Sequence, residues 1–246
     1  MNVLITGCNR GLGLGLVQRF AELSNSPKNI FATCRNMEKA KELQDLRAKH
    51  SNIHILEIDL QNFDSYKNLI KHVGDVVKND GINLLINNAG VGPKTKTLDE
   101  LEYEDLRDVL TTNTIMPIMF TKACLPLLRK ASKANQNKKM GIERAAIINI
   151  SSIRGSIASN TDGAKYPYRT SKAGLNAATK SMSIDLSPDK ILCVSIHPGW
   201  VRTDVGGKDA PLDVTTSTMN ILSTLLTFNE SHNGGFFRYD GGNLPW

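Results

Sequence analysis

Short apolar runs rich in β-branched residues recur along this chain, separated by amphipathic stretches of helical length. Residues 3–5, 30–33, 53–58, 82–86, 145–150 and 191–196 read as strands, and 12–23, 37–48, 66–77 and 106–129 as helices. Each such helix carries the chain back across a sheet, so that the next strand runs parallel to the last. The expected fold is therefore α/β, one doubly wound, mostly parallel sheet with helices on both faces. A chain of 246 residues can bury one sizeable core without dividing, so residues 1–246 are expected to form a single domain. The least regular segments are 132–144, 155–167 and 205–216. The last two follow strand ends, where sheets of this kind bind ligands, and residues 204–216 are the expected substrate loop.

Hydrophobic content of 40% and charged content of 22% suit a water-soluble domain, and no uncharged apolar run is long enough to span a bilayer. A glycine-rich turn begins five residues after Met1 with a strand between them, which leaves no room for a leader; a cytoplasmic protein is expected. Cys8, Cys34, Cys124 and Cys193 are scattered and form no CxxC pair, as reduced thiols would be. The five histidines make no HExxH spacing and no cluster with cysteine, so no metal is expected. The net charge of +6 is spread, and its densest patch, Lys130, Lys133, Lys138 and Lys139, lies in a polar stretch that reads as a solvated loop; no nucleic-acid partner is expected.

The turn itself reads TGCNRGLGLG, Thr6 to Gly15. Behind a first strand, Gly7, Gly11 and Gly13 let the backbone turn sharply, bring its N–H groups close to a pyrophosphate and let the following helix pack on the sheet. The spacing is GxxxGxG where the common fingerprint is GxGxxG. Folds that take NAD place an acid about 20 residues further on, for the ribose hydroxyls. Here that region reads Thr33-Cys34-Arg35-Asn36. A carboxylate would repel a 2′-phosphate, whereas an arginine pairs with it, so Arg35, joined by Arg10 from within the turn, argues for NADPH/NADP+.

A second constellation is Tyr166-Pro167-Tyr168-Arg169-Thr170-Ser171-Lys172, opening an alanine-rich helix. Tyr168 and Lys172 are four apart and share a helix face, and an ammonium there would favour the phenolate, tuning Tyr168 as a general acid or base. Tyr166 has Thr170 at that spacing instead. The strand before it ends in Ser151-Ser152, which sets a hydroxyl at the carboxyl edge where a carbonyl could be oriented and polarised. Alternation along a strand sends only one of the two serines inward. Motif position favours Ser152, with Ser151 as the alternative.

Thr6–Gly13, Asn87-Asn88-Ala89-Gly90, Asn113, Ser152, Tyr168–Lys172 and Pro198-Gly199 together resemble the ordered motif set of the short-chain dehydrogenase/reductase family, over essentially the whole chain. ITGCNRGLGLGLV, NIHILEIDL, KACLPLL, SNTDG, HPGWV and GGFFRYDG are similar to its sniffer-type carbonyl reductases in particular. The resemblance implies a Rossmann-type fold with the catalytic residues built in. It implies catalytic roles for Asn113, Ser152, Tyr168 and Lys172, Asn113 holding a water in a proton relay with Lys172. Cofactor contacts are implied for Gly7, Asn9, Arg10, Gly11, Leu12, Gly13, Arg35, Asp59, Leu60, Asn88, Ala89, Gly90, Tyr168, Lys172, Pro198, Gly199, Val201 and Thr203. Asp59-Leu60 would hold the adenine, and 198–203 the nicotinamide end.

The activity so implied is reduction of an aldehyde, ketone or quinone by NADPH, Tyr168 giving the proton. The alternatives are a hydroxysteroid or 3-oxoacyl type of the same family, or a non-catalytic NADP(H)-sensing module, against which the retained Tyr168 and Lys172 speak. The partner implied is a small-molecule carbonyl substrate. A homodimer through residues 119–128 and the helix after Tyr168 is implied too, although Tyr168 stands 16 positions after Ser152, an interval longer than is common in the family. The additional residues fall in 158–165 and are expected to lengthen a loop over the pocket.

Overall fold

The computed structural model describes residues 1–92 and 97–246. Seven parallel strands make one sheet in the order β3-β2-β1-β4-β5-β6-β7. They are β1 (Asn2–Ile5), β2 (Asn29–Cys34), β3 (Ile53–Glu57), β4 (Leu84–Asn87), β5 (Ala146–Ile150), β6 (Leu192–His197) and β7 (Phe236–Arg238). Among the described residues the seven α-helices are α1 (Gly11–Ala21), α2 (Lys41–Lys49), α3 (Tyr66–Val77), α4 (Tyr103–Leu110), α5 (Met116–Ala134), α6 (Tyr166–Asp185) and α7 (Val214–Thr227).

Strands that read as unbroken apolar runs do so because both faces are covered. Val3 and Ile5 face the core shared with α1, α2 and α7, whereas Leu4 faces the one beneath α3 and α5, the period-two alternation of a pleat. The same alternation sends Ile148 and Ile150 to the first core and Ile147 to the second. All four cysteines are buried and unpaired. Among the described residues no helix is long and apolar enough to cross a membrane, and no group of three or more His, Cys, Asp or Glu is placed to hold a metal ion.

The sequence expectations for strands and helices hold, with differences at particular boundaries. α2 begins at Lys41, because Asn36 Oδ1 accepts from Lys39 N and the chain turns there first. The single helix expected over 106–129 is two helices joined by a π turn, Thr111–Ile115, whose middle residue is Asn113. α7 starts at Val214, capped by Asp213, so the irregular part of the expected substrate loop ends there. β7, three residues long, carries no periodic signal of its own.

Parallel order leaves a switch point between β1 and β4, whose crossovers wind in opposite directions along the sheet. The carboxyl ends of β1, β4, β5 and β6 converge on one edge around it, and ligands of such sheets bind there.

Candidate active site

The glycine turn leaves β1 with Gly7 at φ +70 and Gly11 at φ +58, values that a side chain disfavours. Gly7 also packs so closely on the β4 loop that a Cβ would sit 2.9 Å from Ala89 Cα. Asn88 ties the two loops together: its Nδ2 donates to Thr6 O at 2.9 Å and Gly7 O at 3.0 Å. Thr6 Oγ1 accepts from the N–H groups of Asn88 and Ala89, both at 3.0 Å, and Gly7 N donates to Thr33 Oγ1 at 3.1 Å. Thr6, quoted in the motif but given no role there, and Thr33 are therefore structural partners of the turn.

Helix α1 starts at Gly11 with no side-chain cap and no acid in its first turn. Its leading N–H groups and its dipole thus meet the edge of the sheet without an anionic partner among the described residues. One residue past β2, Arg35 is exposed and forms no ion pair among the described residues. This donor set, backbone N–H groups beside an uncompensated guanidinium, fits a phosphorylated dinucleotide. Arg10 is turned the other way: its Nη1 pairs with Asp204 at 2.8 Å, joining the glycine turn to the segment after β6. Both groups are about two-thirds exposed, so the pair contributes ~0–1 kcal/mol, little enough for a phosphate to compete with it. Asn9 and Leu12 are half-buried in the same turn. Asp59 is exposed past β3, its Oδ1 accepting from Gln61 N at 3.0 Å; Leu60 is buried, and its carbonyl accepts from the Tyr66 hydroxyl.

The segment after β6 closes on the turn. Gly199, at φ +86, would place a Cβ 2.4 Å from Leu212 Cδ1, and Pro198 O accepts from Ser217 Oγ at 2.7 Å. Val201 forms a parallel bridge with Leu212, and Thr203 Cγ2 lies 3.4 Å from where a Cβ on Gly11 would stand.

Four side chains gather around the first turn of α6. The Ser152 hydroxyl lies beside Tyr168, and Ser152 Oγ accepts from Arg154 N at 3.1 Å. Ser151 points to the other side of the strand end, donating to Asn176 Oδ1 at 2.7 Å. Of the two serines, Ser152 is the one beside Tyr168. Lys172 is buried, its Nζ 2.7 Å from Ile150 O and 5.8 Å from the centre of the Tyr168 ring. Asn113 is fully used: Oδ1 accepts from Val91 N at 2.9 Å, and Nδ2 donates to Val91 O at 2.9 Å and Ser171 Oγ at 3.1 Å. A Cβ on Gly90 would lie 3.0 Å from Asn113 Oδ1 and 3.7 Å from Lys172 Nζ, so these three positions converge.

Two further residues make this gathering possible and carry no motif signal by themselves. Ser171 Oγ accepts from Asn113 and donates to Tyr168 O at 2.8 Å. Gly155 packs so tightly on α6 that a Cβ would stand 2.8 Å from the carbonyl carbon of Lys172. Beneath them a buried polar ladder runs across the sheet, Asn87 Nδ2 to Asn149 Oδ1 at 2.8 Å, Asn149 Nδ2 to Thr179 Oγ1 at 2.8 Å, and Ser195 Oγ to Thr179 Oγ1 at 3.0 Å.

The electrostatics depart from expectation at Tyr168. Burial raises its ionisation above the ordinary tyrosine value, and the neighbouring Ser152 hydroxyl only partly offsets this. The ammonium expected to favour the phenolate is spent on a carbonyl, and Lys172 is itself lowered by burial to about 8. Tyr168 is thus a protonated phenol at neutral pH, the form that can give a proton.

Two surface cavities, of about 340 and 500 Å3, lie elsewhere. The first is beside β3 and α3, and the second is near Lys139, Arg144 and Lys190 at the opposite end of the sheet. The site described above is an edge cleft and not either cavity.

Comparison with known proteins agrees with the fold. The family model described as short chain dehydrogenase matches residues 1–211. The carbonyl reductase Sniffer of D. melanogaster is 59% identical, with a TM-score of 0.99 over 100% of this chain and 99% of that one. An NADPH-bound carbonyl reductase from chicken fatty liver is 40% identical, with a TM-score of 0.94 over 100% and 98% of the two chains. The C-signal protein of Myxococcus xanthus is 41% identical over 165 residues, 67% of this chain and 93% of that one.

Proposed function

The chain belongs to the short-chain dehydrogenase/reductase family, and from that premise we propose that it reduces the carbonyl of an aldehyde, ketone or quinone with NADPH, Tyr168 being the proton donor. The observation that carries the reading is Tyr168 with buried Lys172 Nζ 5.8 Å from its ring centre, at the sheet edge that the glycine turn also reaches. When bound, NADPH supplies the hydride that converts the carbonyl carbon to an alcohol carbon.

The chain's own residues do the rest. Ser152 and Tyr168 orient the carbonyl oxygen between two hydroxyls, and the Tyr168 O–H proton passes to that oxygen as negative charge develops there. Lys172 returns a proton to Tyr168. Its depressed value near 8 puts it in reach of both gaining and losing one close to neutral pH. Asn113, held by three hydrogen bonds to Val91 and Ser171, keeps the cofactor loop and the first turn of α6 in register for that relay. The leading N–H groups of α1 take the pyrophosphate, and Arg35 with Arg10 takes the 2′-phosphate, Arg10 leaving Asp204 to do so. The protein acts in the cytoplasm on a small molecule, and a homodimer through α5 and α6 is its proposed assembly.

The test is the absorbance of reduced nicotinamide in the presence of quinones, aromatic aldehydes and ketones, with NADPH and NADH in parallel. NADPH is expected to be preferred, and Arg35→Asp to lower the NADPH-to-NADH ratio of kcat/KM at least about tenfold. An unchanged ratio removes Arg35 from phosphate recognition, and no turnover with any carbonyl removes the reductase reading.

Reduction also has a pH signature. Lys172 falls from the ordinary 10.5 to about 8. Its ammonium is therefore present below about 8 and lost above it, and kcat for reduction is expected to decline as pH rises through that value. Stability runs the opposite way: the buried charge penalises the fold below pH 8, and the penalty fades as pH climbs from 8 towards 10.5. A kcat profile rising through pH 8 to 10 would contradict the assigned relay.

A further inference from the structure

The lengthened interval between Ser152 and Tyr168 is a strap with its own electrostatic anchor. Asp162, in the middle of it, accepts from Arg154 Nη1 with both carboxylate oxygens at 2.6 Å, and from Arg169 Nη2 with Oδ1. Arg154 belongs to the short turn 153–155 that follows Ser152, and its backbone N–H is bonded to Ser152 Oγ. Arg169 follows Tyr168 directly on α6.

Arg169 is the buried member, with a side chain only 9% exposed. Its Nε donates to Gly163 O at 3.0 Å and Ala164 O at 3.2 Å, and its Nη1 is buried without a partner among the described residues. Asp162 is the carboxylate it is paired with. The chain it holds is strained: Gly163, Ala164 and Lys165 stand at φ +59, +48 and +53, three left-handed residues in succession immediately before α6. Non-glycine residues persist in that conformation only where their surroundings impose it, and here the Arg169 hydrogen bonds do so.

We propose that Asp162 is a positioning residue for the reaction. Clamped between Arg154 and Arg169, it ties the serine arm of the site to the tyrosine arm and sets the position of the Ser152 hydroxyl relative to Tyr168. It touches neither substrate nor cofactor. Removing its charge leaves a buried guanidinium unpaired, frees the left-handed run and lets the start of α6 move relative to the 153–155 turn. The Arg154 and Arg169 contacts hold the Asp162 carboxyl below the usual carboxylate range, so the clamp is charged at neutral pH. This inference rests on Tyr168 as proton donor.

The experiment compares Asp162→Asn and Arg154→Gln with the unmodified chain. Arg154→Gln cuts only the serine half and leaves the buried Arg169 paired. Three quantities are read: kcat for carbonyl reduction, NADPH affinity by fluorescence titration, and the pH at which Tyr168 ionises. The last is taken from phenolate absorbance as the difference between otherwise identical chains with and without Tyr168→Phe. Asp162→Asn is expected to lower kcat about tenfold or more, since small misplacements of reacting groups cost that much. NADPH affinity stays within about twofold, because the clamp lies off the glycine turn. Tyr168 ionisation moves to higher pH as the Ser152 hydroxyl moves away from it. Arg154→Gln shifts kcat and the Tyr168 ionisation in the same direction by less.

If both variants keep kcat within about twofold and leave Tyr168 ionisation in place, the proposal is wrong. Equal losses of kcat and NADPH affinity in both would make Asp162 a general support of the fold, which also overturns it. Absence of turnover in the unmodified chain would instead break the reductase reading, while the Tyr168 ionisation measurement would still judge the clamp.

Discussion

Tyr168→Phe is expected to lower carbonyl reduction by about 10²–10⁴-fold while leaving NADPH affinity nearly unchanged, because a positioned proton donor contributes on that scale. The substitution removes one hydroxyl and little else. Ser152 Oγ keeps its backbone donor, Arg154 N at 3.1 Å, so no buried acceptor is stranded. Thermal stability should therefore shift by no more than about 1 kcal/mol. The backbone bonds that start α6, Tyr168 N to Lys165 O at 3.0 Å and Ser171 Oγ to Tyr168 O at 2.8 Å, do not involve the phenol. Turnover and cofactor titration on the same preparation separate loss of chemistry from loss of binding. A variant retaining more than about a tenth of the rate would exclude Tyr168 as the donor and shift attention to Ser152 or a water. Tight NADPH binding with no carbonyl turned over by either chain would instead favour the sensing alternative.

The parts of this site that the sequence announces are those that depend on local chemistry. A strand followed by Gly7, Gly11 and Gly13 declares its turn because positive φ and close backbone approach admit almost nothing else. Tyr168 and Lys172 declare themselves through helical spacing, and the missing acid at 33–36 through charge alone. What stays hidden depends on residues far apart in the chain. The choice between Ser151 and Ser152 is made by Asn176, which takes the Ser151 hydroxyl. The raised ionisation of Tyr168 comes from burial by the assembled loops, which spacing cannot report. The π turn at Asn113 alters backbone register within a stretch whose apolar periodicity reads as one helix. The clamp at Asp162 joins residues 154 and 169 through a segment whose composition suggests only a loop. β7 is too short for a period to emerge, although β6 needs it to cover Ser195, Ile196 and His197.

The largest structural effect is expected from a single methyl group. Gly13 lies in the first turn of α1, where its φ is ordinary, so the backbone does not require glycine there and Ala would raise helix propensity by about 1 kcal/mol. Space decides the outcome instead. A Cβ at residue 13 would stand 2.2 Å from Gly7 O and 2.6 Å from Asn88 Nδ2. Neither atom can retreat easily: Gly7 is held through Thr33 and Asn88, and Asn88 Nδ2 donates to Thr6 O and Gly7 O. Gly13→Ala must therefore push the turn away from α1 or break the Asn88 bridge. Overpacking of this kind costs ~1–3 kcal/mol, and the lost Asn88 bonds add about 1 kcal/mol each. For a chain of this size that is a fall of about 6–20 °C in Tm, measured by differential scanning calorimetry. NADPH affinity should fall with it, since the displaced backbone is the proposed pyrophosphate cradle. Gly74→Ala is the matched control. Gly74 is also helical, within α3, but a Cβ there meets only Leu127 Cδ2 at 3.6 Å, an ordinary contact. That substitution should leave stability unchanged or raise it by up to about 1 kcal/mol, with NADPH affinity unaltered. If the two variants behaved alike, close packing of the turn against α1 would not be what demands glycine at position 13.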